Sequence, residues 1–149
     1  MSEIRAAKRY AKSLLELAVE KGQLEAILSD MQEFNAVCKQ NHDFVLMLKN
    51  PIVKHDQKKK ILFKIFAKAN KITMSFYDII TRKNREAILP AITKEFINQY
   101  NVFKGIEIAT VTTAIKVSPE LRKELEKIVL EISDMNTVQL NEVVDEELI

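Results

Sequence analysis

At 149 residues and 47% hydrophobic content, the chain fits one ordinary domain or two small ones and is apolar enough to build a buried core, so a folded, soluble protein is expected. Two glycines, three prolines, no tryptophan and 30% charged residues match a mostly helical chain rather than a turn-rich sheet protein, and a single cysteine, Cys38, excludes an internal disulfide. The formal charge of +2 conceals a division: residues 1–104 carry 19 Lys and Arg against 11 Asp and Glu, residues 105–149 carry 4 against 10, giving +8 and −6 and suggesting two units with different partners.

The N-terminus, MSEIRAAKRYAKSLLE, lacks the uninterrupted apolar region of a signal peptide and contains too many early acids for a transit peptide. A bacterial cytoplasmic protein is expected. From Ile4, apolar residues recur at Ala7, Tyr10, Ala11, Leu14, Leu17 and Ala18, which predicts a helix with one apolar face. Gly22 predicts its end, because glycine adopts the left-handed conformation that closes a helix. Leu24, Ile27, Leu28, Met31, Phe34 and Cys38 form a second stripe, with Lys21, Glu25, Asp30 and Glu33 left for solvent, and the tight junction predicts a helical hairpin.

A shorter element through Phe44, Met47 and Leu48 stops at Asn50, because Pro51 biases its predecessor away from helix. A fourth helix carries Ile61, Leu62, Ile65, Phe66 and Ala69. A fifth carries Ile72, Phe76, Ile79 and Ile80, and a sixth Ile88, Ile92, Phe96, Tyr100 and Phe103. After Gly105, IEIATVTTAIKV is rich in β-branched residues and reads as a strand. Ser118 and Pro119 predict a helix start, with Leu121, Leu125, Ile128, Val129 and Ile132 on one face. TVQLNEVV then alternates, Val138 and Leu140 on one side and Gln139 and Asn141 on the other, as a half-buried strand does.

The expected architecture is mainly α: a six-helix bundle over residues 1–104, then a small, incomplete α/β domain over residues 105–149, strand, helix, strand. The crossover is long enough for either parallel or antiparallel pairing. So little apolar surface is buried by two strands and one helix that the unit is expected to be unfinished or to be covered by a partner.

Several segments carry a resemblance. AKRYAKSLLELAVEKGQLE resembles the first helix of ATP synthase delta subunits, the bacterial homologues of the mitochondrial oligomycin-sensitivity-conferring protein, through Tyr10, Ala11, Leu14, Leu17 and Ala18. LKNPIVKHDQKKKIL is similar to the family's Asn-Pro turn before a Lys-containing helix, and KNREAILPAITKEF to its Asn-Gly-Arg segment. GIEIATVTTAIKVS and the final VDEELI extend the likeness over nearly the whole chain. Asn84 stands where the family has glycine; asparagine enters the left-handed region more readily than other non-glycine residues, so the turn is expected to survive. The family pattern continues past the last aspartate and aliphatic residues into a Gly-Gly segment, another strand and a helix.

The resemblance implies a non-catalytic stator subunit of a proton- or sodium-driven rotary ATP synthase, on the cytoplasmic face of the bacterial plasma membrane and attached to the membrane only through the complex. It implies that the bundle binds the N-terminal helix of an alpha subunit in a groove between its first and fifth helices, and that the C-terminal part contacts the stalk b subunits. The residues expected there are Ala7, Tyr10, Ala11, Leu14, Phe76, Ile79 and Ile80, in the manner of helix-in-groove recognition. The plain alternative for each is a place in the bundle core.

Lys54, Lys58, Lys59, Lys60, Lys64, Lys68 and Lys71 suggest a rival reading, a basic helical nucleic-acid-binding adaptor. The stripe lacks an arginine-rich recognition helix and an aromatic stacking platform, so a solvated face is expected and no nucleic-acid partner. No phosphate loop, metal-ligand spacing or paired nucleophile and base appears, and His42 and His55 stand isolated, so neither catalysis nor a cofactor is expected. Cys38 reads as a small buried hydrophobe.

Overall fold

The computed structural model describes residues 3–114, 116–132 and 137–148. The described residues form seven α-helices and a small two-stranded sheet, a mainly α fold. The chain divides into two compact units, Met1–Tyr100 and Asn101–Ile149.

The first unit is built from α1 (Glu3–Glu20), α2 (Leu24–Gln40), α3 (His42–Lys49), α4 (His55–Ile65), α5 (Lys71–Arg82), a 3-10 turn at Glu86–Ile88 and most of α6 (Leu89–Lys104). Local chemistry sets most of these boundaries. Gly22 lies at φ 64°, its N–H bonds to the Val19 carbonyl, and the Gln23 N–H bonds to the Ala18 carbonyl. This is the double closure that a left-handed residue permits after a helix. The Asn41 side chain accepts from the Phe44 N–H to start α3, and Asn50 ends it before Pro51.

Asn84 repeats the closure of Gly22. At φ 59° it is the non-glycine residue with positive φ among those described. Its N–H reaches the Thr81 carbonyl, and the Arg85 N–H reaches that of Ile80. Asn84→Ala is expected to lower stability by about 1 kcal/mol, because alanine lacks asparagine's tolerance of this region. Asn84→Gly should stay within about 0.5 kcal/mol of the parent, strain relief being offset by the freer unfolded chain. Urea denaturation of both variants checks this, and equal loss in both would sink the left-handed explanation.

Two boundaries differ from the sequence pattern. The fourth helix ends at Ile65, short of Ala69, because Asn70 takes an extended conformation and caps α5 by accepting from the Ile72 N–H. Ile88 falls in the 3-10 turn before α6, whose first turn accommodates Pro90. Asp30, expected in solvent, instead accepts from the Asn70 N–H and the Thr73 hydroxyl, joining α2 to the start of α5.

The core of this unit is an aromatic cluster. Phe34 of α2 packs its ring against Phe44 of α3, Phe66 just beyond α4 and Tyr77 of α5, with centroids 5.5, 5.2 and 5.7 Å away. Ala11, Leu14 and Ala18 of α1 and Ile92 and Phe96 of α6 are also buried. Alanines on the inner face of α1 let it approach its neighbours closely.

The second unit contains β1 (Ile106–Thr113), α7 (Pro119–Ile132) and β2 (Thr137–Val144). The strands pair in parallel, from Ile106 with Thr137 to Thr113 with Val144. The expected first strand stops at Thr113 rather than Val117, because β2 offers no further partners. Ser118 caps α7 by accepting from the Leu121 N–H, with Pro119 at its first position. Leu140 is half-buried and Asn141 exposed, the predicted sense of alternation; the side chains of Val138 and Gln139 lie outside the described residues. No described residue of α7 is fully buried, and Ile128 and Ile132 are 50% and 81% exposed.

Candidate functional site

An apolar groove of about 510 Å³ runs between α1 and α5. One wall is Tyr10, Ser13, Leu14, Leu17 and Lys21, and the other is Lys71, Ile72, Ser75, Phe76 and Ile79. Each set recurs at helical spacing, so each wall is one face of one helix. Tyr10 and Phe76 meet edge to face, ring centroids 6.5 Å apart, and the Arg85 guanidinium lies 5.6 Å from the Tyr10 ring centroid. At the other end the Asn70 amide donates to the Gln23 side chain, drawing the end of α1 and the start of α5 together. Leu17 and Ile79 remain 38% and 42% exposed.

Of the seven residues singled out in the sequence, Tyr10, Leu14, Phe76 and Ile79 line this groove. Ala7, Ala11 and Ile80 are buried in the bundle at 2%, 0% and 0% exposure. They belong to the bundle core and do not line the groove. Ser13, Leu17, Ser75 and the two lysines were not anticipated. The available signal was the breadth of the α1 apolar arc, since Tyr10 and Leu17 lie off the stripe through Ala7, Ala11, Leu14 and Ala18.

The lysine stripe is only partly solvated. Lys58 is 3% exposed; its ammonium donates to the Leu48 carbonyl at 2.9 Å and lies 3.1 Å from Glu86 Oε1. Glu86 is equally buried, at 1%, and its Oε1 also meets His55 Nδ1. Burial pushes the Glu86 carboxyl up, but its own backbone N–H, Lys58 and His55 outweigh this and hold it below its ordinary value. Lys59 pairs with Asp78, which also binds Arg82. Cys38 is half-buried. Burial raises its thiol pKa against the opposing pull of Lys94, so it has none of the activation a nucleophile needs. Among the described residues no cluster of His, Cys, Asp or Glu could hold a metal ion, and no helix is long and apolar enough to cross a membrane.

The family model described as ATP synthase delta (OSCP) subunit matches residues 6–149. The chain belongs to that family. It is 41% identical over 150 residues to the ATP synthase subunit delta of Cytophaga hutchinsonii, covering 100% of this chain and 81% of that one. The subunit delta of Chlorobaculum tepidum is 40% identical over 126 residues, 84% of this chain and 70% of that one. The chloroplastic ATP synthase delta chain of Chlamydomonas reinhardtii is 30% identical over 145 residues, 96% and 66% respectively. A chain of the Toxoplasma gondii mitochondrial ATP synthase hexamer shares the fold, with a TM-score of 0.78 at 20% identity over 93% of this chain and 78% of that one. The molecule is therefore a non-catalytic, stator subunit of ATP synthase.

Proposed function

We propose that the bundle grips the catalytic head by taking the N-terminal amphipathic helix of an alpha subunit into the α1–α5 groove, while the second unit contacts the ends of the stalk b subunits. The groove carries this reading: an open apolar trough, walled by Tyr10, Leu14, Leu17, Phe76 and Ile79, has the form of a seat for one further helix. The exposed apolar residues of α7, with Val143 and Val144 at 46% and 48% exposure, support a second docking face. In this role the protein resists torque and transfers it between head and stalk, on the cytoplasmic face of the bacterial plasma membrane, with the complex as its attachment.

Isothermal titration with a peptide of the alpha subunit's N-terminal helix from the same organism tests the groove. One-to-one binding with a negative heat-capacity change is expected from apolar burial. Ile79→Asp should weaken it by at least roughly tenfold, by placing a carboxylate against the peptide's apolar face, with the far-ultraviolet circular dichroism unchanged because Ile79 is exposed in the free protein. A folded protein that binds no peptide would overturn the groove assignment.

A further inference from the structure

The groove is apolar along its length but not neutral. Its lining contains two cations and no carboxylate. Lys21 follows the C-terminus of α1 and Lys71 opens α5, and the hydrogen bond between Asn70 and Gln23 brings these two helix ends together. Both ammoniums therefore stand at one end of the trough, one on each wall. Both lysines are exposed, and neither forms an ion pair among the described residues. The acids of the neighbouring segments lie outside the lining: Glu25 accepts from the Tyr100 hydroxyl, and Asp30 keeps its charge at the start of α5, where it accepts from Asn70 and Thr73. At the far end Arg85 lies over the face of Tyr10, and Arg82, which is paired with Asp78, and Lys83 adjoin Ile79 outside the lining.

We propose that the helix accepted by this groove carries acidic side chains in the turn that lies over Lys21 and Lys71, so that charge at that end selects the occupant and its register among helices with equal apolar stripes. The inference rests on the groove reading above and adds the chemistry of the partner. Apolar burial supplies the affinity and slides easily by one turn. Two cations at a fixed end penalise the wrong register and speed encounter with an acidic partner, the usual division of labour between apolar and charged contacts. The excess of positive charge over residues 1–104 acts in the same direction.

Two labelled amphipathic peptides of about 20 residues, identical in their Leu and Ile stripe, provide the test. One carries glutamates in both terminal turns and the other lysines there, which makes the result independent of helix direction. Fluorescence anisotropy at low ionic strength should show the acidic peptide binding roughly tenfold tighter, with most of that preference gone at about 0.5 M salt. The Lys21→Glu, Lys71→Glu double variant, checked for folding by circular dichroism, should lose the preference or reverse it. Equal binding of the two peptides, or an unchanged preference in the double variant, overturns the charge inference and leaves the groove assignment standing. Binding of neither peptide to the folded protein overturns both.

Discussion

Glu86→Leu is expected to destabilise the helical bundle by about 3–5 kcal/mol, the cost of leaving a buried lysine without its counter-charge. Lys58 and Glu86 are each almost completely covered, their side chains only 4% and 2% exposed. Lys58 stays anchored to the Leu48 carbonyl, so after the substitution its ammonium remains inside with one neutral acceptor. The pair spans α4 and the 3-10 turn before α6 and is bound to the end of α3, so three elements lose a common fastening. The Lys58→Met, Glu86→Leu double variant should recover most of the loss, because an apolar pair of similar volume carries no desolvation penalty. Urea denaturation of the parent, both single variants and the double variant measures the coupling directly. Single variants that each lose less than about 1 kcal/mol would show that the buried pair contributes little.

The same pair sets an acid limit. The Glu86 carboxyl is held below its ordinary value of 4.5, so the folded state binds this proton more weakly than the unfolded chain does. Its contribution is fully present above pH 4.5 and is lost as the pH falls through the depressed folded-state value. Glu86→Leu should accordingly flatten the dependence of stability on pH in the acid range. An acid profile with the same slope in parent and variant would assign that dependence to other carboxylates.

Phe34→Ala is expected to cost about 3–5 kcal/mol, the range for emptying an aromatic site that cannot collapse. Phe34 is 0% exposed and, like Phe66, meets all three of the other rings in the cluster. Its removal leaves a void bordered by three elements whose positions are set elsewhere. Against a total stability of about 5–15 kcal/mol for a domain, such a loss brings the unfolded state into view at moderate temperature. Phe34→Leu keeps most of the volume and should lose about half as much. Because Phe34 does not line the groove, the fraction that stays folded should bind the alpha-subunit peptide with parental affinity. Equal stability of parent and Phe34→Ala would mean that the aromatic cluster is not the centre of the core.

The mainly helical class, the order of the elements and the positions of several ends were legible in the residues alone, because each depends on chemistry within a few positions. Gly22 and Asn84 close helices through their own backbone conformation, Pro51 excludes helix at Asn50, and Ser118 with Pro119 opens α7. The family likeness was legible for the same reason, since its Asn-Pro and Asn-Arg turns are local signals at fixed places in the chain. Tertiary structure alone decided which apolar residues face a core and which border an open groove. Ala7, Ala11 and Ile80 share helical stripes with Tyr10, Leu14, Phe76 and Ile79, and only the packing of neighbouring helices decides that the second group borders a trough, with Leu14 and Phe76 largely buried at its base and Ile79 exposed. Lys58 read as one more solvated lysine until Glu86, from a distant segment, was brought against it, and Asp30 read as exposed until α5 arrived to use it. Parallel pairing of β1 and β2 belongs to the same class, because a crossover of that length permits either direction. Periodicity specifies the face of a helix, whereas burial, ion pairing and strand direction depend on what the rest of the chain places opposite that face.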